Sequence, residues 1–200
     1  MRKLLQGLRQ FQDSHFPKRQ ELFERLANDQ KPIVLFITCS DSRIIPSLIT
    51  QTDVGDIFTI RNVGNIIPPY GSSNGGEGAA IEYAIQALGI DQVIVCGHSN
   101  CGAMKGLLKI DYLEEEMPLV YEWLKHAEST RRLVKDNYQH CGGEDLLGIT
   151  TAEKRSLFTL AKSAEVANPF FLAISSTKDA IVLPFPSILS SSSSSIRYAR

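Results

Sequence analysis

Five residues whose side chains can perform chemistry follow two apolar segments of the chain. Cys39, Asp41 and Arg43 end the segment IVLFITCSDSR, and His98 and Cys101 end the segment QVIVCGHSNC. Zinc prefers nitrogen and sulfur ligands in a tetrahedral arrangement, and three protein ligands leave the fourth position open to water. The spacing H-x-x-C supplies two ligands within one turn, and a distant segment supplies the third. The two cysteines and the histidine therefore predict a metal site.

These residues also have an ordinary structural interpretation. The cysteines could be small core residues and His98 a hydrogen-bonded turn histidine, while Asp41 and Arg43 could form a solvated ion pair contributing about 0–1 kcal/mol. In the functional interpretation Asp41 has two alternative roles. It ligates the metal and closes the site, or it pairs with Arg43 and leaves the fourth position to water. We hypothesise that the paired form is the active one.

The segments that precede these residues are predicted to be strands. Residues 33–38 are β-branched, aromatic or aliphatic without interruption, as in a strand covered on both faces, and residues 92–97 (QVIVCG) are a second candidate for a buried strand. In open parallel sheets, ligands bind at the carboxyl ends of the strands. If the two strands are neighbours, Cys39, His98 and Cys101 meet at that edge, which favours the metal site over simple core packing.

The rest of the chain alternates between strand and helix patterns. This alternation predicts an α/β fold, with a mostly parallel central sheet flanked by helices. We expect a further strand at 53–61 and helices at 77–88, 102–109, 118–140 and 151–166. Two short strands are expected at 170–174 and 180–183.

Three regions are expected along the chain. Residues 1–30 predict a helical arm of two short helices, broken near Pro17, which packs on the main body or on a second subunit. Residues 31–183 form the zinc-binding α/β domain. Residues 184–200 are a Pro/Ser-rich tail with six consecutive serines, which predicts disorder.

The composition is typical of one soluble domain. Its 21 basic and 22 acidic side chains give a net charge of -1, and no basic stripe indicates nucleic-acid binding. No stretch approaches the roughly 20 apolar residues that span a bilayer, and the first residues lack the features of a signal peptide. We therefore expect a cytoplasmic protein, in which four cysteines indicate metal binding or catalysis rather than disulfides.

At the residues discussed above, the sequence resembles the β-class carbonic anhydrases. Four motifs carry the resemblance, in the family's order and spacing: CSDSR at 39–43, RNVGN at 61–65, GGEGAAIEY at 75–83 and CGHSNCG at 96–102. The resemblance covers roughly residues 1–150. The segments ITQTDVGDIF, NIIPPYG and GAMKGLLK are most like those of cyanobacterial, carboxysome-associated members.

The resemblance implies a zinc enzyme. It places Zn²⁺ on Cys39, His98 and Cys101, with Asp41 and Arg43 as a catalytic dyad. The implied reaction is the reversible hydration of carbon dioxide to bicarbonate and a proton, by hydroxide formed on zinc. By drawing Asp41 off the metal, Arg43 keeps a coordination position open.

The resemblance also implies a pocket, partners and a location. Tyr83 and Gly102 are expected to line the substrate pocket. The building block is expected to be a homodimer, or part of a larger homo-oligomer, whose N-terminal helices embrace the partner. The implied location is the cytoplasm or the carboxysome, where a scaffold protein would be a partner. The longer C-terminal tail of carboxysomal members is absent from this sequence.

The last fifty residues depart from the family pattern. Family members continue with a histidine-glycine-aromatic segment that residues 170–183 do not match, and the serine run is foreign to them. We therefore expect an atypical or incomplete C-terminal edge of the sheet, as a frameshift or truncation would produce. Two other functions stay open: hydrolysis of carbon disulfide or carbonyl sulfide on the same scaffold, and a truncated inactive paralogue that acts as a structural subunit.

Overall fold

A parallel β-sheet forms the centre of the molecule. The computed structural model describes residues 1–69, 71–72, 75–153 and 182–183. The strands are β1 (Val34–Cys39), β2 (Ile57–Asn62), β3 (Val93–His98) and β4 (Val182–Leu183). They lie in the order β2-β1-β3-β4, and every neighbouring pair is parallel. The predicted α/β fold with a mostly parallel sheet is confirmed.

Helices surround this sheet. They are α1 (Arg2–Gln10), α2 (Phe16–Lys18), α3 (Gln20–Asn28), α4 (Pro46–Thr50), α5 (Gly76–Glu82), α6 (Gly102–Leu108), α7 (Leu113–Glu116), α8 (Pro118–Lys125), α9 (Glu128–Asn137) and α10 (Gly143–Glu153). The π-helical turns Phe11–His15 and Tyr83–Ala87 continue α1 and α5. None of the described helices is long and apolar enough to cross a membrane.

Two groups of buried side chains hold these elements together. All six residues of β1 are buried, because β2 and β3 flank the strand and helices cover it. The first group packs the sheet against α5 and includes Leu35, Ile37, Ile60, Ile81 and Val93. The second group surrounds α6 and includes Cys39, Cys101, Met104, Leu107 and Leu124. Full burial of one such aliphatic side chain contributes about 1.5–3 kcal/mol, so the second group anchors the segments that end at the carboxyl edge of the sheet.

The N-terminal arm contacts the body at its second half. The predicted break near Pro17 occurs instead at Arg19, two residues later, where φ of -129° and ψ of 24° leave the helical region. Arg19 forms an ion pair with Asp53. Leu26 lies directly over Gly55, where a Cβ atom would be 2.6 Å from the Leu26 methyl carbon.

Three predicted elements have different bounds. The strand expected at 53–61 begins only at Ile57, because the Asp56 carboxylate accepts the Asp53 N–H at 2.6 Å and forms a turn. The helix expected at 118–140 is two helices, α8 and α9. Between them the Ala127 N–H bonds the Leu124 carbonyl, a tightened last turn that ends α8. The helix expected at 151–166 begins at Gly143.

Several expectations lie outside the described residues. These are the strand at 170–174, the helical residues after 153 and the tail at 184–200. Strand β4 falls within the predicted segment 180–183 and pairs with the carboxyl end of β3. The boundaries of the three regions stay predictions.

Candidate metal centre

The strand ends bring three donor side chains together. Cys39 is the last residue of β1 and His98 the last of β3, and the parallel register places Thr38 beside Cys96. Cys101 precedes α6, after a turn in which Asn100 adopts a positive φ of 54°. The donor atoms of Cys39, His98 and Cys101 all lie within 4.8 Å of one another, and all three residues are buried.

The imidazole of His98 is oriented by its own backbone neighbour. Nδ1 lies 2.9 Å from the carbonyl oxygen of Ser99. Since a carbonyl only accepts, Nδ1 carries the proton and Nε2 keeps its lone pair. Nε2 is buried without a hydrogen-bond partner among the described residues. A buried acceptor without a partner is costly, and the same arrangement is typical of a histidine that binds a metal.

The surroundings of Cys39 favour the thiolate. The neighbouring Cys101 thiol, with smaller contributions from His98 and the amides of Asp41 and Gly64, lowers the pKa of Cys39 to about 3, against the opposing effect of burial. The Gly64 N–H lies 3.4 Å from Sγ of Cys39. Two sulfurs and one imidazole nitrogen fit a tetrahedral metal with a preference for soft ligands, and they leave a fourth position. The donor set therefore fits a metal such as zinc.

Asp41 and Arg43 lie beside this cluster as an ion pair. Arg43 donates from its guanidinium to both carboxylate oxygens of Asp41, at 2.9 Å and 2.7 Å. It also donates to the Asn100 carbonyl at 3.1 Å, which links the pair to the turn before Cys101. These hydrogen bonds hold the pKa of Asp41 well below its ordinary value. Oδ2 of Asp41 lies 3.9 Å from Nε2 of His98.

Two residues of the RNVGN motif support the site from β2, and sequence reasoning gave them no role. Arg61 donates to the backbone carbonyls of Cys39 at 3.2 Å and of Asp41 at 2.8 Å. The Asn62 carboxamide accepts from the Ile66 N–H and donates to the Ile66 carbonyl. The sequence signal for this supporting role was the position of Arg61 and Asn62, two polar residues at the end of an apolar strand.

A close approach between α6 and the turn after β2 also depends on this motif. Gly64 has a φ of 77°, and a Cβ there would lie 2.8 Å from Cβ of Ala103. Trp123 donates from Nε1 to the Val63 carbonyl at 2.7 Å and holds the same turn from α8. Sequence reasoning missed this role of Trp123, which is the sole tryptophan of the chain.

Comparison with known proteins assigns this arrangement to a family. The family model for carbonic anhydrases matches residues 34–167, which include every residue of the cluster and of the ion pair. The chain belongs to the carbonic anhydrase family. Residues 168–200 lie outside the match.

Relatives and a solved structure agree with this assignment. A carbonic anhydrase of Synechocystis sp. is 62% identical over 153 residues, covering 76% of this chain and 56% of the relative. A carbonic anhydrase of Synechococcus elongatus is 63% identical over 153 residues, which again cover 76% of this chain and 56% of the relative. The structure of the beta-carbonic anhydrase CcaA is 53% identical, with a TM-score of 0.80, and the match covers 92% of this chain and 88% of that chain. The chain spans about half the length of the two relatives.

The two pocket residues expected from the β-class carbonic anhydrases lie in different places. Gly102 begins α6 directly after Cys101, at one end of a groove of about 530 Å³ along that helix. Tyr83 is half exposed, and its ring centre lies 6.1 Å from that of Phe58. Phe58 lies four residues before Asn62, which pairs with Cys39, a distance of about 13 Å along the strand. Tyr83 therefore lies beside the first half of β2, and its place in a substrate pocket stays a prediction.

Proposed function

We propose that this chain catalyses the reversible hydration of carbon dioxide to bicarbonate and a proton, with Zn²⁺ held by Cys39, His98 and Cys101. One observation carries the proposal: three buried donor atoms lie within 4.8 Å of one another, next to a carboxylate that Arg43 holds aside. Membership of the carbonic anhydrase family supports the reaction. The relatives bear that name, which gives no support to hydrolysis of carbon disulfide or carbonyl sulfide, or to an inactive subunit.

Zinc would supply a Lewis acid that lowers the pKa of a water molecule, to about 7 in carbonic anhydrases with three histidine ligands. The protein's part is to supply two thiolates and one neutral imidazole. The thiolates of Cys39 and Cys101 neutralise a divalent ion, so we expect a weaker acid than three histidines would give. The Nδ1–H of His98 remains hydrogen-bonded to the Ser99 carbonyl, so Nε2 is the atom that would bind the metal.

Asp41 and Arg43 would orient the water. Because the Arg43 guanidinium lowers its pKa, Asp41 stays ionised at neutral pH and acts as a hydrogen-bond acceptor. Oδ2 of Asp41 lies 3.9 Å from Nε2 of His98. There it could accept a hydrogen bond from a water molecule and orient the lone pair of the water oxygen towards carbon dioxide. Arg43 is half exposed, so the released proton has a short path to solvent.

We also propose that the working unit contains at least two copies of the chain. No residue of α1 is buried, and Leu4, Leu5 and Leu8 are each more than half exposed. Such an apolar helix face is stabilised when another copy covers it. Residence in the cytoplasm or the carboxysome, with a scaffold partner there, is proposed from the resemblance to cyanobacterial members.

Metal content and carbon dioxide hydration test the proposal together. The purified chain should contain about one zinc ion and accelerate hydration in a stopped-flow assay. Cys39→Ser should lose both the zinc and the activity. Cys96→Ser, at a buried cysteine outside the cluster, should keep both. Stoichiometric zinc in Cys39→Ser would refute the ligand assignment, and zinc without hydration in the unaltered chain would refute the reaction.

A further inference from the structure

Arg61 grips the main chain on both sides of Ser40. Its Nε donates to the carbonyl of Cys39 at 3.2 Å, and a terminal guanidinium nitrogen donates to the carbonyl of Asp41 at 2.8 Å. Arg61 lies on β2, where it pairs in register with Thr38 of β1. One side chain from the neighbouring strand therefore fixes two main-chain groups of the segment that carries both a metal donor and the carboxylate.

This contact begins where the β-sheet ladder stops. The register between β1 and β2 ends with Cys39 beside Asn62, and one further bond joins the Ser40 N–H to the Asn62 carbonyl at 2.9 Å. Asp41 lies beyond that bond. Beyond the last ladder bond, the hydrogen bond from the Arg61 guanidinium to the Asp41 carbonyl joins the segment to β2.

The position of Asp41 is sensitive to small movements. Its Oδ2 is 3.9 Å from Nε2 of His98. Two nitrogen or oxygen ligands of one tetrahedral zinc, each bonded at about 2.0 Å, lie about 3.3 Å apart, so the observed distance is only slightly longer. On the His98 side, a shift of about 0.6 Å would give the carboxylate oxygen the spacing of a second ligand of the same ion. Arg43 opposes that shift from the side chain, and nothing in this ion pair fixes the main chain of Asp41 relative to β2.

We propose that Arg61 is a positioning residue that keeps Asp41 on Arg43 and out of the metal's coordination sphere. The inference rests on the proposed metal site. An arginine suits the task because its planar fork reaches two acceptors at once, whereas a lysine of equal charge offers one compact ammonium. Among the hydrogen bonds of the described residues, those that Arg61 donates go to main-chain carbonyls and not to the three metal donors.

A double-mutant cycle read by cobalt absorption tests the proposal. The unaltered chain, loaded with Co²⁺ in place of zinc, is compared with Arg61→Lys and Arg61→Gln, each alone and combined with Asp41→Asn. The visible d–d bands of Co²⁺ report the number and type of its ligands. Arg132→Gln, at an exposed arginine of α9 that pairs with Glu128, is the control for the loss of one positive charge.

We expect both Arg61 variants to bind one Co²⁺ per chain with altered d–d bands, because Asp41 joins the metal. In the Asp41→Asn background the same variants should leave the spectrum unchanged. The zinc forms of Arg61→Lys and Arg61→Gln should lose about tenfold or more in kcat with KM unchanged, as is common for groups that orient metal-site residues. Arg132→Gln should match the unaltered chain.

Two results would overturn the proposal. Equal spectral changes with and without the Asp41 carboxylate would show that Arg61 acts on the ligands directly. Loss of Co²⁺ from both Arg61 variants would make Arg61 a support of the donor cluster instead. The spectra require no turnover, so a chain that binds Co²⁺ but does not hydrate carbon dioxide would refute the proposed function and still decide the role of Arg61.

Discussion

The Arg43 guanidinium donates to both oxygens of the Asp41 carboxylate, at 2.9 Å and 2.7 Å, while one of those oxygens lies 3.9 Å from Nε2 of His98. The carboxylate is thus held at the border of a group of metal donors without being part of it. This ion pair is the arrangement that the second of the two roles predicted for Asp41 requires, and the role itself stays a prediction.

Asp41→Asn should separate metal binding from catalysis. The variant should keep one zinc per chain, because the three donors of the cluster are unchanged, and kcat should fall about 10- to 100-fold because the ionised acceptor is lost. Metal analysis and stopped-flow hydration measure the two effects. Arg43→Lys should also keep zinc and lose activity, since one ammonium cannot bind both oxygens. Loss of zinc from Asp41→Asn would show that Asp41 is a ligand in the resting protein.

Gly97 of β3 should tolerate a methyl group only if α10 makes room for it. A Cβ at Gly97 would lie 2.8 Å from Cγ2 of Thr151, so Gly97→Ala should reduce the free energy of unfolding by about 1–3 kcal/mol. Thr151→Ser removes that methyl group and keeps the hydroxyl that donates to the Leu147 carbonyl. The double variant should recover at least half of the loss in urea unfolding.

A matched glycine checks this interpretation. Gly78 lies in α5, where a Cβ would meet no side chain of the described residues within 4 Å, so Gly78→Ala should raise the free energy of unfolding by about 0.5–1 kcal/mol. A Gly97→Ala loss that Thr151→Ser does not relieve would show that the strain arises elsewhere.

Glu128 should make stability depend on pH in acid. Arg131, which donates at 2.6 Å, and Arg132 lower the pKa of Glu128 in the folded chain. The ion pairs are therefore fully present above the ordinary glutamate pKa of about 4.3 and are lost as pH falls through the lowered folded value. Glu128→Gln should reduce the free energy of unfolding by about 1 kcal/mol at pH 7, and the difference from the unaltered chain should shrink below about pH 4.

A second glutamate serves as the control for that experiment. Glu122 pairs only with Lys125 among the described residues, and both side chains are largely exposed. Glu122→Gln should have a smaller effect at pH 7. Equal effects of the two substitutions across the pH range would contradict a special contribution of Glu128.

The N-terminal arm should govern self-association. Leu8→Glu places a charge on the exposed apolar face of α1 and should lower the sedimentation coefficient towards that of a single chain. Gln10→Glu, which changes the charge equally at an exposed polar position, should leave it unchanged. A Leu8→Glu chain that sediments like the unaltered one would show that this face is not covered by a second copy.

The sequence predicts the donor cluster well because its signal is local. Apolar runs identify β1 and β3, which end at Cys39 and His98, so the parallel order brings these two donors together, and the short turn after β3 adds Cys101. Supporting contacts are less visible, because Arg61 reaches carbonyls of residues about 20 positions away, and any residue offers a carbonyl. The end of α8 was missed because neither Gly nor Pro marks it; the buried Leu124 and Ala127 set the turn.

Cys39 and His98 are about sixty residues apart in the chain, yet they occupy adjacent strand ends. A metal ion bound by both residues would cross-link the two central strands of the sheet. Metal binding and folding would then be coupled. Each tenfold rise in the free metal concentration above the dissociation constant would add about 1.4 kcal/mol to the free energy of unfolding. The abundance of this protein in a cell would therefore follow the supply of its metal, quite apart from any effect on turnover.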